Sequence, residues 1–191
     1  MHGLPRVSLV LVMLGLAACS SGNGLVEQLD ERAGMTIVHG REPLVFARTE
    51  PRYSRSARDY LYLGALGTNR QGVRDYYLWV GVATTLDRGF IAPDAATPQA
   101  LYVTIAGEPM ELALEPLAEL VRRTGTAPIY ATAVPLRGEL AARVTLQQLA
   151  LLDGAALETV TVAAVEGPAR NYVRWGKGTG FGDFVTSAAG R

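Results

Sequence analysis

The sequence predicts a mainly β domain, an antiparallel sandwich or barrel-like sheet carrying two short helices. Three observations lead there. Short runs of branched and aromatic residues recur from Met35 to the C-terminus, turn residues separate them at close intervals, and only two stretches carry helical signals. Many short strands with no long helix between them pair antiparallel, because a parallel pair needs a long crossover.

The first strands expected are "MTIVH" at 35–39 and "PLVFART" at 43–49. The clearest pair follows: "DYLYLGALG" at 59–67 and "VRDYYLWVGVATT" at 73–85 are joined by "TNRQG", whose Asn69 and Gly72 suit a hairpin turn. In the second of these, Tyr76, Leu78, Val80 and Val82 share one face, and Tyr77, Trp79, Gly81 and Ala83 the other. Neither face is polar, so both must be covered, or one must meet a partner. Gly64, Gly67 and Gly81 offer bare backbone against which an aromatic ring can lie.

A second hairpin is expected in "ALYVTIAGEPMELALE" at 100–115, with "GEP" at its turn. Further strands are "APIYATAV" at 127–134, "ETVTVAAVE" at 158–166 and "ARNYVRW" at 169–175. The count comes to roughly eight. Of the two helices, "EPLAELVRRTG" has Pro116 in a first-turn position, Leu117, Leu120 and Val121 on one face and Gly125 as a stop. The other, "TLQQLALLDG", opens with Thr145 and Gln148 in capping-box spacing and ends at Gly154.

Ahead of this body stands a different composition. After Arg6, an apolar run from Val7 to Ala18 is broken only by Ser8 and Gly15. It spans about 12 residues, well short of the ~20 needed to cross a bilayer as a helix, and has the layout of a secretory signal. The sequence Leu16-Ala17-Ala18-Cys19 that closes it resembles the lipobox of bacterial lipoproteins. That resemblance covers about the first 20 residues. It implies that the Cys19 thiol receives a diacylglycerol, that cleavage falls before Cys19, and that the freed amino group is acylated. Several acyl chains hold a protein where one is marginal, at ~0.8 kcal/mol per buried CH₂. Ser20 in place of an aspartate implies sorting to the outer membrane, periplasmic side.

Three segments are therefore expected: a signal peptide at 1–18, a lipidated N-terminus and tether at 19–34, and one β-rich domain at 35–191. Within the tether, "SSGNG" is flexible in composition, and Leu25, Val26 and Leu29 suit a brief helical turn ended by Gly34. Cys19 is the only cysteine, so its lipidation leaves no thiol for a disulfide, a nucleophile or a metal, and the domain must rely on packing.

Overall charge names no partner, since 18 Lys and Arg balance 18 Asp and Glu. Its distribution is uneven. Arg32 to Arg74 holds eight arginines against Glu42, Glu50 and Asp59, while Asp75 to Glu119 holds Arg88 against seven acids. Densest is "RTEPRYSRSARDY" at 48–60, where Arg48, Arg52, Arg55 and Arg58 sit beside Tyr53 and Tyr60. Interleaved arginine and tyrosine suit phosphate, sugar acids or single strands of nucleic acid. A periplasmic address excludes nucleic acid and leaves anionic lipid, polysaccharide or an envelope protein. The alternative is a solvated connector whose arginines pair with Glu42, Glu50 and Asp59.

Motifs for catalysis are weak. In "WGKGTGFGD" at 175–183 a phosphate loop fails at Asn171 and Gly178, and a dinucleotide loop fails at Phe181, so a mobile hairpin turn is expected, with Trp175 in the core. Beyond residues 1–18, His39 is the only histidine, which excludes a three-histidine zinc site. A triad would have to join it to Ser54, Ser56 or Ser187 without any Gly-x-Ser-x-Gly elbow. Asp87, Asp94, Glu108 and Glu111 remain as material for a carboxylate pair.

The expected function is binding or scaffolding by a lipid-anchored envelope protein, with no cofactor and no catalysis. A carrier of a small apolar or lipid ligand is the second reading and an envelope hydrolase the third. They differ in what they require: an exposed arginine or aromatic patch, an internal pocket of ~300–1,000 Å³, or two carboxylates facing across a cleft.

Overall fold

A computed structural model describes residues 24–86, 98–105, 107–123, 127–164, 168–176, 178 and 180–190. Cys19, the signal segment, Asp87, Asp94, Gly125 and Lys177 lie outside the described residues. Among the described residues antiparallel strand accounts for 52% against 15% helix, and the sheet curls into a nearly closed barrel. The mainly β expectation holds.

Among the described residues eleven strands run in chain order: β1 (Leu25–Asp30), β2 (Met35–Gly40), β3 (Leu44–Thr49), β4 (Arg58–Arg70), β5 (Val73–Thr84), β6 (Ala100–Ile105), β7 (Glu108–Ala113), β8 (Glu115–Pro116), β9 (Leu136–Val144), β10 (Thr159–Ala163) and β11 (Arg170–Arg174). Their order across the sheet is β7-β6-β10-β11-β3-β4-β5-β9-β8. The β4–β5 hairpin is the spine, paired from Asp59↔Thr84 to Arg70↔Val73. Its two-residue turn needs left-handed backbone at both positions, which Gln71 (φ 52°) and Gly72 (φ 89°) supply, and Asn69 Oδ1 accepts from the Gly72 amide at 2.9 Å. The other edge of β4 is shared: β3 pairs with its first half and β2 with its second.

Both faces of that spine are buried, as its composition requires. Leu61, Leu63 and Ala65 of β4 and Leu78 and Val80 of β5 point into the barrel, where Phe46, Leu101, Val103, Leu140 and Val160 fill the interior. Tyr62, Leu66, Tyr77 and Trp79 point outward into a second apolar layer with Met35, Ile37, Leu117, Val121, Ile129 and Tyr130. Small residues let rings lie flat on the strands: a methyl group on Gly64 would overlap the Tyr130 ring, and one on Gly81 the Trp79 ring, while one on Gly67 would sit 3.1 Å from Phe184.

Among the described residues three helices accompany the sheet: α1 (Leu117–Val121), α2 (Leu146–Gly154) and α3 (Gly182–Ala189). The box at α2 forms as read, with Thr145 Oγ1 accepting from the Gln148 amide at 3.1 Å and Gln148 Oε1 accepting from the Thr145 amide at 2.8 Å. Leu149 and Leu152 carry it onto the barrel interior. The single turn of α1 stops at Arg122, which takes a left-handed conformation (φ 52°).

Several sequence expectations require correction. Leu25–Asp30, read as tether and helical turn, is strand β1, because residues from Leu25 to Asp30 find backbone partners on β2 and Gly34 (φ 59°) turns the chain between them. "APIYATAV" is not a strand. Its backbone crosses the outer face of β4 and β5, buries Ile129 and Tyr130, and leaves the next strand, β9, to pair with β5. The glycine-rich stretch does not return as a hairpin but leads from β11 into α3. Trp175 is not in the core and is 48% exposed.

Candidate functional site

The arginine-rich sequence 48–60 covers the end of β3, the connection to β4 and the start of β4. That connection is a structured turn and not a loose linker. Glu50 and Ala57 close it, with the Glu50 amide donating to the Ala57 carbonyl at 2.9 Å and the Tyr53 amide donating to the Glu50 carbonyl at 3.0 Å. Ala57 is buried beneath it. Arg52, Tyr53 and Arg55 are consequently presented to solvent on a fixed frame.

The four arginines separate into different roles. Arg48 Nη1 lies 3.1 Å from Glu50 Oε1, and Glu50 is itself buried, so Arg48 neutralises a carboxylate that folding has taken out of water. Arg52 reaches the other Glu50 oxygen only at 3.9 Å with its side chain 79% exposed, a contact too loose to fix it. Arg55 is exposed with no partner among the described residues. Arg58 lays its guanidinium 4.7 Å from the centre of the Trp175 ring, and its Nε is buried without a hydrogen-bond partner among the described residues.

Trp175 belongs to this group although sequence reasoning placed it in the core. Strand β11 pairs Val173 with Ala47 of β3, Ala47 pairs in turn with Tyr60 of β4, and the Trp175 amide donates to the Val45 carbonyl at 2.7 Å. The tail of β11 is thereby laid beside the arginine turn on the outer wall. Val173, 58% exposed, and Tyr53, 39% exposed, extend the apolar part of the face. The missed signal was the register: Tyr172 is the interior residue of β11, so alternation sends Val173 and Trp175 outward. The result is an outward-facing surface of three cations with an indole, a phenol and a valine.

Other sequence candidates are not assembled. His39 is buried, its Nδ1–H donates to the Gly40 carbonyl at 2.7 Å and its Nε2 accepts from Gln28 Nε2 at 3.2 Å, so neither nitrogen is left for a serine. Burial pushes its pKa below the ordinary histidine value; the Gly40 hydrogen bond opposes that and the nearby charge of Arg123 adds to it. Ser54 and Ser56 bond each other at 3.0 Å on the arginine turn, and Ser187 is on α3. On β7, Glu108 and Glu111 fall on opposite faces of the strand. Among the described residues, no three His, Cys, Asp or Glu side chains gather as a metal site would require.

The glycine-rich segment has a structural use. The Asp153 carboxylate at the end of α2 accepts from the Phe181 amide at the start of α3, which places an anion of the protein's own where a phosphate would have to sit. At the opposite end of the barrel from the arginine turn, a groove with a cavity volume of about 90 Å³ is lined by Leu25, Val38, Tyr76, Phe184 and Ala188 with Glu27 and Arg74. It opens at the mouth of the barrel, where Phe184 belongs to the interior core and Leu25, Val38, Tyr76 and Ala188 pack against it. Among the described residues no helix is long and apolar enough to cross a membrane.

Comparison of the chain with protein-family models, curated proteins and solved structures finds no match.

Proposed function

We propose that the chain is a lipid-anchored cell-envelope protein, held at the periplasmic side of the outer membrane through Cys19, whose role is to bind an anionic envelope component. The observation that carries the binding half is the face made by Arg52, Tyr53, Arg55, Arg58, Val173 and Trp175. A tryptophan this exposed, with the Arg58 guanidinium laid against its ring, costs solubility and adds nothing to the core. Cations beside amphipathic rings give affinity for anions at an apolar margin. The anchoring half is supported by Leu16-Ala17-Ala18-Cys19 alone.

Because the whole chain balances 18 basic against 18 acidic groups, attraction to an anion must come from this local excess. Each arginine close to an anionic surface is worth about 1 kcal/mol. Reversing Arg52 and Arg55 to glutamate should abolish salt-sensitive co-sedimentation with anionic vesicles or envelope polysaccharide and leave the melting temperature in place, since both side chains are exposed. Retained binding in the double reversal, insensitive to salt, would remove the face from the account.

A further inference from the structure

We infer that the anionic partner of this face is the phosphate headgroup layer of the bilayer itself, with Trp175 seated at the boundary between headgroups and acyl chains. The inference rests on the proposed binding role of the face and names its partner. Three observations favour a lipid surface over a soluble polyanion. The first is the chemistry of the rim: the exposed valine Val173 near the end of β11 gains nothing from a hydrated polyanion, and the exposed indole of Trp175 just beyond the strand, with a phenol and arginines on the same face, suits the interfacial zone of a membrane.

The second is reach. Gly24 stands five positions after Cys19, so a fully extended chain separates them by at most ~18 Å. Through the pairing Leu25↔Gly40 and His39↔Leu66, the entry of the chain into the sheet is level with the region of Ala65 on β4, and Arg58 is seven positions farther along, roughly 23 Å. Tether and body are of similar length, so an anchor at Cys19 keeps the face within reach of the same bilayer. The third is rigidity. The Arg58–Trp175 contact holds one cation against the indole, and the hydrogen bonds that close the 50–57 turn fix the backbone frame from which the exposed Arg52, Tyr53 and Arg55 side chains project.

The two tryptophans of the chain make this measurable, because Trp79 is fully buried and only Trp175 can meet lipid. The full chain, as purified in detergent, is reconstituted into vesicles whose acyl chains carry bromine, a contact quencher of indole fluorescence, with either phosphatidylglycerol or phosphatidylcholine headgroups. Reconstitution holds the body at the bilayer whether the chain is lipidated or keeps its apolar N-terminus, so a failure of the anchor assignment does not mask the result. The expected outcome is quenching of the wild type in phosphatidylglycerol vesicles, its loss in Trp175→Phe, and its reduction in the Arg52→Glu, Arg55→Glu double variant and at about 1 M salt, where screening shortens to ~3 Å. Emission equally insensitive to bromine in wild type and Trp175→Phe would overturn the inference. So would a shift of Trp175 emission on adding soluble envelope polysaccharide without any quenching by brominated lipid, a result that keeps the anion-binding face and transfers its partner to the polymer.

Discussion

The ring of Tyr130 lies directly on the backbone of Gly64, and its hydroxyl donates to the Ala65 carbonyl at 2.6 Å while accepting from the Gly40 amide at 3.1 Å. One side chain thus ties the 127–135 crossing to both β2 and β4. Trp79 packs 4.8 Å from the same ring, and its Nε1–H donates to Glu139 Oε1 at 2.8 Å, which also accepts from the Ile129 amide. Tyr130, Trp79 and Glu139 thus have their polar groups paired within the outer apolar layer, which is what makes their burial tolerable.

Gly64→Ala should therefore destabilise the protein by about 1–3 kcal/mol, the usual cost of overpacking, because the new methyl group and the Tyr130 ring would occupy the same space. Gly138→Ala, at an exposed position of β9 with nothing near the added methyl, should stay within about 0.5 kcal/mol of wild type. Thermal unfolding of the two variants side by side checks the placement of the ring.

Acid should weaken the fold through His39. Its folded pKa is depressed below the ordinary histidine value, so the unfolded chain binds the proton more readily. The stability this provides is fully present above about pH 6.5 and declines as pH falls below it. His39→Gln should lower the melting temperature at neutral pH while flattening its decline between about pH 7 and pH 5. A variant with the same acid slope as wild type would place the sensitivity elsewhere.

At α2, Thr145→Ala removes the acceptor for the Gln148 amide and should cost about 1 kcal/mol. Chemical denaturation with an unchanged slope and a lower midpoint is the expected signature.

How much of this was legible depended on how local each instruction is. The β4–β5 hairpin could be read because Asn69 and Gly72 are chemically suited to one turn, and α2 because its box is written within four residues. Strand β1 was hidden by Leu25 and Leu29, whose spacing is equally that of a helical turn; only pairing with β2 decides between them. Strand β9 opens with the polar run Arg137, Gly138, Glu139 and was passed over, although Leu140, Ala142 and Val144 alternate into the interior. In "APIYATAV" the alternation is genuine, but Tyr130 has its partners on β2 and β4, an arrangement invisible without the fold. Of the candidate site, the arginines were visible and Trp175 was not, since the register of β11 against β3 sets its direction.

The central claim is that Cys19 ties this body to the envelope, and the mass of the mature N-terminal peptide tests it most directly. Protein extracted by detergent from its own membranes and digested should yield a peptide that begins at Cys19 and carries a diacylglyceryl group on sulfur and an acyl group on nitrogen, with Cys19→Ala remaining an unprocessed or soluble form. A mature chain that begins at any other residue, or an unmodified Cys19 in a protein still partitioning into detergent, would contradict it.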